Sequence, residues 1–171
     1  MKGFIVNLSH TTINNQTYVQ LFGRLENGQS FVVMNKIEPY FFIKENDLKI
    51  VSKYLKKYET ERTKLTNFKG EKVIKISSDN RAELNKLSQV MHKLEIETYE
   101  ADIKPHYRFI IDNDLLGTIN IEGEHEPAEK VERVYKNAKI TPAYYKPELK
   151  IISIDTESDK YNEKLFCIGI Y

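Results

Sequence analysis

Between Tyr40 and Tyr99, two stripes at helix spacing interrupt a chain otherwise patterned for strands, and this alternation narrows the possible folds more than any other feature. Leu48, Val51, Leu55 and Tyr58 recur every three or four residues and predict a helix over 47–58, capped by Asn46 or Asp47. Leu84, Leu87, Met91 and Leu94 do the same for a second helix, with Ser78 or Asp79 as its cap. Around these helices stand a short aromatic strand opened by Glu38-Pro39, strands over 61–68 and 72–77 joined by Lys69-Gly70-Glu71, and a strand over 95–99. The succession is βαββαβ.

That succession is the split, ferredoxin-like unit. Upstream, residues 3–9, 17–25 and 29–35 predict three strands, the last two joined at Asn27-Gly28, so the chain begins as a β-meander. The fold class expected is α+β. Tyr40, Phe41 and Phe42 are contiguous and must face both sides of their sheet, so at least one belongs to a core. The same unit serves RNA recognition, but its stacking aromatics would fall on 72–77, where there are none. After Tyr99, Pro105 suits the first turn of a short helix, and strands are expected near 117–122 and 131–140.

At 171 residues, with 40% hydrophobic and 30% charged residues, the chain can bury a real core and is not of disordered composition. No run of about 18 apolar residues is present, so no membrane helix is expected. The single cysteine, Cys167, excludes an internal disulfide, fits a reducing compartment, and reads as a small core residue. The net charge of +1 gives no global pull on a polyanion. Locally, residues 53–75 carry eight basic side chains against three acidic ones, a band that could track phosphates or simply be a solvated face. The four histidines are scattered, and neither a glycine-rich phosphate loop nor a Gly-x-Ser-x-Gly elbow occurs.

Near the end, Ile151, Ile152 and Ile154 run into Asp155-Thr156-Glu157. The apolar run predicts a buried strand over 149–155, with a second strand over 165–171 hairpinned back on it. Alternation puts Asp155 and Glu157 on one face, where two carboxylates repel unless a cation lies between them. Hard oxygen ligands suit Mg²⁺ or Mn²⁺, and paired ions of this kind break phosphodiester bonds. Alternatively, Asp155 merely ends a strand and caps a turn. A boundary near Pro147 divides the chain into 1–147 and 148–171. Two strands cannot make an independent domain, so the chain is expected to be a piece of a longer protein.

Taken together, four segments resemble family B DNA polymerases: Glu38-Pro39-Tyr40-Phe41-Phe42, the run Tyr99 to Pro105 with Arg108-Phe109 beyond it, the run Tyr145 to Glu157, and Leu165 to Ile170. Within that family the wording is nearest the bacterial polymerase II type. Thr156 stands where Ile is usual. The resemblance implies an amino-terminal polymerase domain followed by the first strands of a ribonuclease H-like 3′–5′ proofreading exonuclease. It implies Asp155 and Glu157 as catalytic, metal-holding carboxylates for Mg²⁺ or Mn²⁺, and Pro39, Tyr40 and Arg108 as residues near the template. The implied partners are template and primer DNA, with a sliding clamp reached through the parent, and no membrane. The implied location is cytoplasmic, at the nucleoid. The later exonuclease motifs and the palm aspartates are missing, so the chain alone is expected to be inert. The competing reading is a stand-alone ferredoxin-like module that binds nucleic acid or protein without catalysis.

Overall fold

The computed structural model describes residues 1–148, 150–161 and 164–171. It opens with a long hairpin, β1 (Lys2–Ile13) and β2 (Gln16–Leu25), followed by β3 (Ser30–Lys36). The first two strands run further than their apolar alternation suggests. Asn14 and Asn15 both take positive φ (49° and 64°), which makes the tight two-residue turn whose twist suits a hairpin. Next come β4 (Tyr40–Lys44), α1 (Leu48–Val51), β5 (Glu59–Thr66), β6 (Lys72–Ser77), α2 (Arg81–Lys93) and β7 (Thr98–Tyr99). The chain continues through α3 (Pro105–Asp112), β8 (Thr118–Glu122), β9 (His125–Glu126), β10 (Arg133–Lys136) and β11 (Lys139–Pro142). It ends in β12 (Ile154–Ser158) and β13 (Leu165–Ile170).

Three sheets result. The first has seven strands in the order β11-β8-β1-β2-β3-β10-β9, with β10 parallel to β3 and every other pair antiparallel. Its core is built on Val19, Leu21, Leu25, Phe31, Val33 and Ile119. The second has four antiparallel strands, β5-β6-β4-β7, and buries Phe41, Ile43, Ile74 and Ile76 with Leu84, Leu87 and Met91 of α2. Phe42 faces the other side of this sheet and is also buried. The third is the isolated pair β12-β13.

Several sequence expectations change. The helix over 47–58 keeps its buried stripe, Val51 and Leu55, but narrows to one α-turn flanked by 3-10 turns at Glu45–Asp47 and Ser52–Tyr54. The Ser52 hydroxyl bonds the Lys49 carbonyl (3.0 Å), a local bond that competes with the helical ladder. The cap of α2 is Asn80, whose Oδ1 accepts from Ala82 N (2.8 Å), while Ser78 Oγ, two residues earlier, accepts from Asn80 N (3.2 Å). Leu94 is not inward: it follows the last helical residue and is 36% exposed. Glu95 there takes φ 57° and Ile96 N bonds Met91 O (3.0 Å), closing the helix without a glycine. Asn137 (φ 50°) splits the strand expected over 131–140 into β10 and β11.

The largest correction concerns the carboxylate strand. It begins at Ile154 rather than before it, and Leu149 lies outside the described residues. The strand is not buried: Ile151, Ile152, Ile154, Phe166 and Ile168 are each more than half exposed, and Cys167 is exposed rather than in a core. A two-stranded ribbon has no second layer to cover either face, so apolar side chains that would otherwise be inside stay in solvent.

Candidate nucleic-acid interface and carboxylate pair

The three residues singled out for template proximity come together. Pro39 delivers the chain into β4, whose first residue is Tyr40. Across from it, α3 starts on Pro105, where a missing N–H costs nothing, and Arg108 and Asp112 follow at helix spacing. Pro39, Tyr40, Pro105, Arg108 and Asp112 line one cleft of about 230 Å³, with Lys75 of β6 on its wall.

Tyr40 is the hub. Its hydroxyl donates to the Asp112 carboxylate, with oxygens at 2.9 and 3.0 Å. The Arg108 guanidinium carbon lies 4.5 Å from the ring centroid and Lys75 Nζ lies 4.6 Å from it, so two cations attend one aromatic ring. Phe42 packs edge-on at 5.4 Å. Burial and the Asp112 carboxylate push the Tyr40 phenol up to about 12. Tyr40 therefore stays a neutral donor and cannot act as a base near neutrality.

Arg108 is buried for a charged side chain, at 11% exposure, with Glu100 Oε2 2.6 Å from Nη2. The carboxylate lies off the N–H direction, so Nη2 is ion-paired but has no directed acceptor. Glu100 holds this position at φ 62°, a left-handed conformation that costs a non-glycine residue about 1–2 kcal/mol. A cleft flanked by the Arg108 and Lys75 cations suits an anionic or π-faced group. It holds no nucleophile–base pair.

Sequence reasoning missed Glu100 and Asp112, and it placed Lys75 in the basic band rather than beside Tyr40. Asp112 carried a signal, since it stands four residues after Arg108 on the same helix face. Lys75 was legible only as part of the basic band, because only strand register brings it beside Tyr40.

The basic band is less uniform than its composition. Lys57 pairs with Glu83, Arg62 with Glu45 (3.2 Å) and Lys75 with Glu61 (3.6 Å). Lys53, Lys56, Lys64, Lys69 and Lys72 have no carboxylate partner among the described residues.

Asp155 and Glu157 lie on β12, exposed, two residues apart and opposite Gly169 and Cys167. Asp155 Oδ1 is turned back onto Thr156 N (2.9 Å). Among the described residues no third His, Cys, Asp or Glu joins them in a metal-holding group. Mg²⁺ demands near-ideal octahedral oxygen geometry, and two open carboxylates do not supply it. The pair does not by itself fit the metal.

No protein-family model matches the chain. It is 26% identical, over 169 aligned residues, to a DNA polymerase of Archaeoglobus fulgidus, covering 92% of this chain and 21% of that protein. It is 33% identical over 76 residues to DNA polymerase II of Escherichia coli, covering 44% of this chain and 9% of that protein. In fold it is similar to the family B DNA polymerase of the hyperthermophilic archaeon Pyrobaculum calidifontis, with a TM-score of 0.73 and 18% identity over 92% of this chain and 22% of that one. The chain thus resembles family B DNA polymerases in sequence and fold while spanning about a tenth to a fifth of its curated relatives' length. No helix among the described residues is long and apolar enough to cross a membrane.

Proposed function

We propose that the chain is the amino-terminal part of a DNA-directed DNA polymerase that also carries a 3′–5′ proofreading exonuclease. One observation carries this reading: likeness to a DNA polymerase extends over 92% of the chain. Residues 1–147 form the amino-terminal domain and 148–171 begin the exonuclease. The four-stranded order β5-β6-β4-β7 supports a ferredoxin-like unit within the first, and the hairpin β12-β13 supports the start of a ribonuclease H-like sheet in the second. Within 1–147, the cleft of Pro39, Tyr40 and Arg108 contacts the template. Asp155 and Glu157 are two of the carboxylates that hold Mg²⁺ or Mn²⁺, with the remaining ligands supplied by the longer chain. The fragment alone scaffolds and contacts DNA without catalysis.

The test uses the full-length product of the gene on a primer–template with a matched or mismatched 3′ end. Primer extension is expected, together with excision of the mismatch. Asp155→Ala with Glu157→Ala should abolish excision and leave extension largely intact. A protein that extends nothing defeats the polymerase reading, and a double variant that still excises misplaces the exonuclease site.

A further inference from the structure

At the end of the four-stranded sheet remote from Tyr40, the turn joining β5 to β6 is held unusually firmly. Asn67 Oδ1 accepts from Lys69 N (3.0 Å) and Glu71 N (2.9 Å), and Nδ2 donates to Glu71 Oε2 (2.7 Å) and Tyr99 OH (3.0 Å). Its backbone N–H and C=O pair with Glu71 O and Gly70 N, each at 2.9 Å. This fixed turn presents Phe68 wholly to solvent, at 110% relative exposure. Leu65, 56% exposed, lies on the same hairpin end, where the register slips between Arg62 and Thr66. Lys64, Lys69 and Lys72 are exposed there and lack a carboxylate partner among the described residues. The neighbouring acids are engaged: Glu71 by Asn67 and, at 3.9 Å, Lys44 Nζ, and Glu97 by the Tyr99 hydroxyl (2.8 Å) and, at 3.9 Å, the same Lys44 Nζ.

We propose that this hairpin end docks single-stranded DNA, with a base stacked on Phe68 and adjacent phosphates on Lys64, Lys69 and Lys72. An aromatic face beside unpaired ammonium groups is the combination by which proteins hold single strands without reading sequence. A duplex hides its base faces and cannot use Phe68. An apolar protein partner would bury three uncompensated charges at a steep desolvation cost. The hydrogen-bonded turn lowers the backbone part of the ordering cost, because the chain that carries the ring is already fixed. The choice of DNA rests on the polymerase reading, whereas the surface itself lies apart from the Tyr40 cleft.

Fluorescence anisotropy of a labelled 12-nucleotide oligo(dT) with the 171-residue chain, across a salt series, tests this. Phe68→Ala should weaken binding about tenfold with the salt slope unchanged, and Phe68→Trp should restore it. Replacing Lys64, Lys69 and Lys72 together by Ala should lower the slope by about 2, at about 0.7 per phosphate contact. Melting temperatures should stay level, since all four side chains are exposed. Equal binding by wild type and Phe68→Ala, an unchanged slope in the triple variant, or equal affinity for duplex overturns the proposal. If Lys75→Ala abolishes binding while Phe68→Ala does not, this surface is wrong and the polymerase reading stands. If the Phe68 effect appears but the full-length protein extends no primer, the reverse holds.

Discussion

A partly buried histidine pair shows how much a residue can tie to the solution. His10 of β1 and His106 of α3 face each other Nδ1 to Nδ1 at 3.0 Å, so one neutral ring must donate and the other accept. Burial holds both below the usual histidine range. Arg81 and Lys104 then add to it at His10, and His10 and Lys104 at His106, while the Tyr107 ring packs on His106 at 4.4 Å. A depressed folded value means the unfolded chain takes up protons first as pH falls below the ordinary 6.5. Stability from this pair is therefore full above that value and declines below it. Calorimetry should find a lower melting temperature at about pH 5 than at about pH 7.5, and His106→Gln should reduce that difference. An unchanged difference would assign the loss to other groups. Because α3 also carries Arg108 and Asp112, the pair helps seat the residues around Tyr40. Titrating the chain by ultraviolet absorbance should reveal one phenol ionising near 12, and Asp112→Ala should bring it down. A Tyr40 phenol that does not respond to Asp112→Ala would mean the hydrogen bond is not formed in solution.

Helix α2 illustrates the next scale. Its inward stripe, Leu84, Leu87 and Met91, is wholly or almost wholly buried against β4 and β6, and Leu87→Ala should cost about 2–5 kcal/mol in chemical denaturation. Lys56→Ala, on an exposed and unpaired side chain, should change little. Asn80→Ala removes the helix cap and a bond to Asn15 Oδ1 (2.6 Å), and should cost about 1 kcal/mol. If Asn80→Ala proves neutral, the cap belongs to Ser78 after all. In the first sheet, a Cβ on Gly23 would stand 2.0 Å from the Phe4 carbonyl oxygen and 2.7 Å from the Phe31 ring. Gly23→Ala must push two strands apart, a cost to which nothing in the local pattern pointed.

For the whole molecule, two sheets share a polar seam. Thr17 N bonds Asp79 O (2.8 Å), Thr17 Oγ1 accepts from Arg81 N (3.0 Å), and Gln16 Nε2 reaches Ile37 O and Asp79 O. Thr17 is fully buried, which is tolerable because its N–H, C=O and Oγ1 are each hydrogen-bonded. Among the described residues the hairpin β12-β13 has no comparable seam and no covered face. Amide hydrogen exchange should therefore show slow exchange along β6 and fast exchange along β12 and β13. Equal protection of the two would place the carboxylate strand in the first domain and remove the boundary proposed near Pro147.

The periodicities picked out by themselves the apolar faces of 40–99, because a stripe depends only on local spacing, and the sheet beside them buries Val51, Leu55, Leu84, Leu87 and Met91 while Leu94 stays outside. The meander of β1, β2 and β3 was legible for the same reason, since its strands are neighbours in sequence. The meeting of Tyr40 with Arg108 was suggested by family resemblance alone. Its geometry, with Lys75 and Asp112 added, depends on α3 crossing to β4 over some seventy residues of chain. Likewise β8 flanks β1, and β10 lies parallel to β3, through contacts about a hundred residues apart that no local pattern encodes. The apolar carboxylate strand marks the opposite limit. Its residues call for burial, but burial needs a second surface, and only the tertiary structure decides whether one is there.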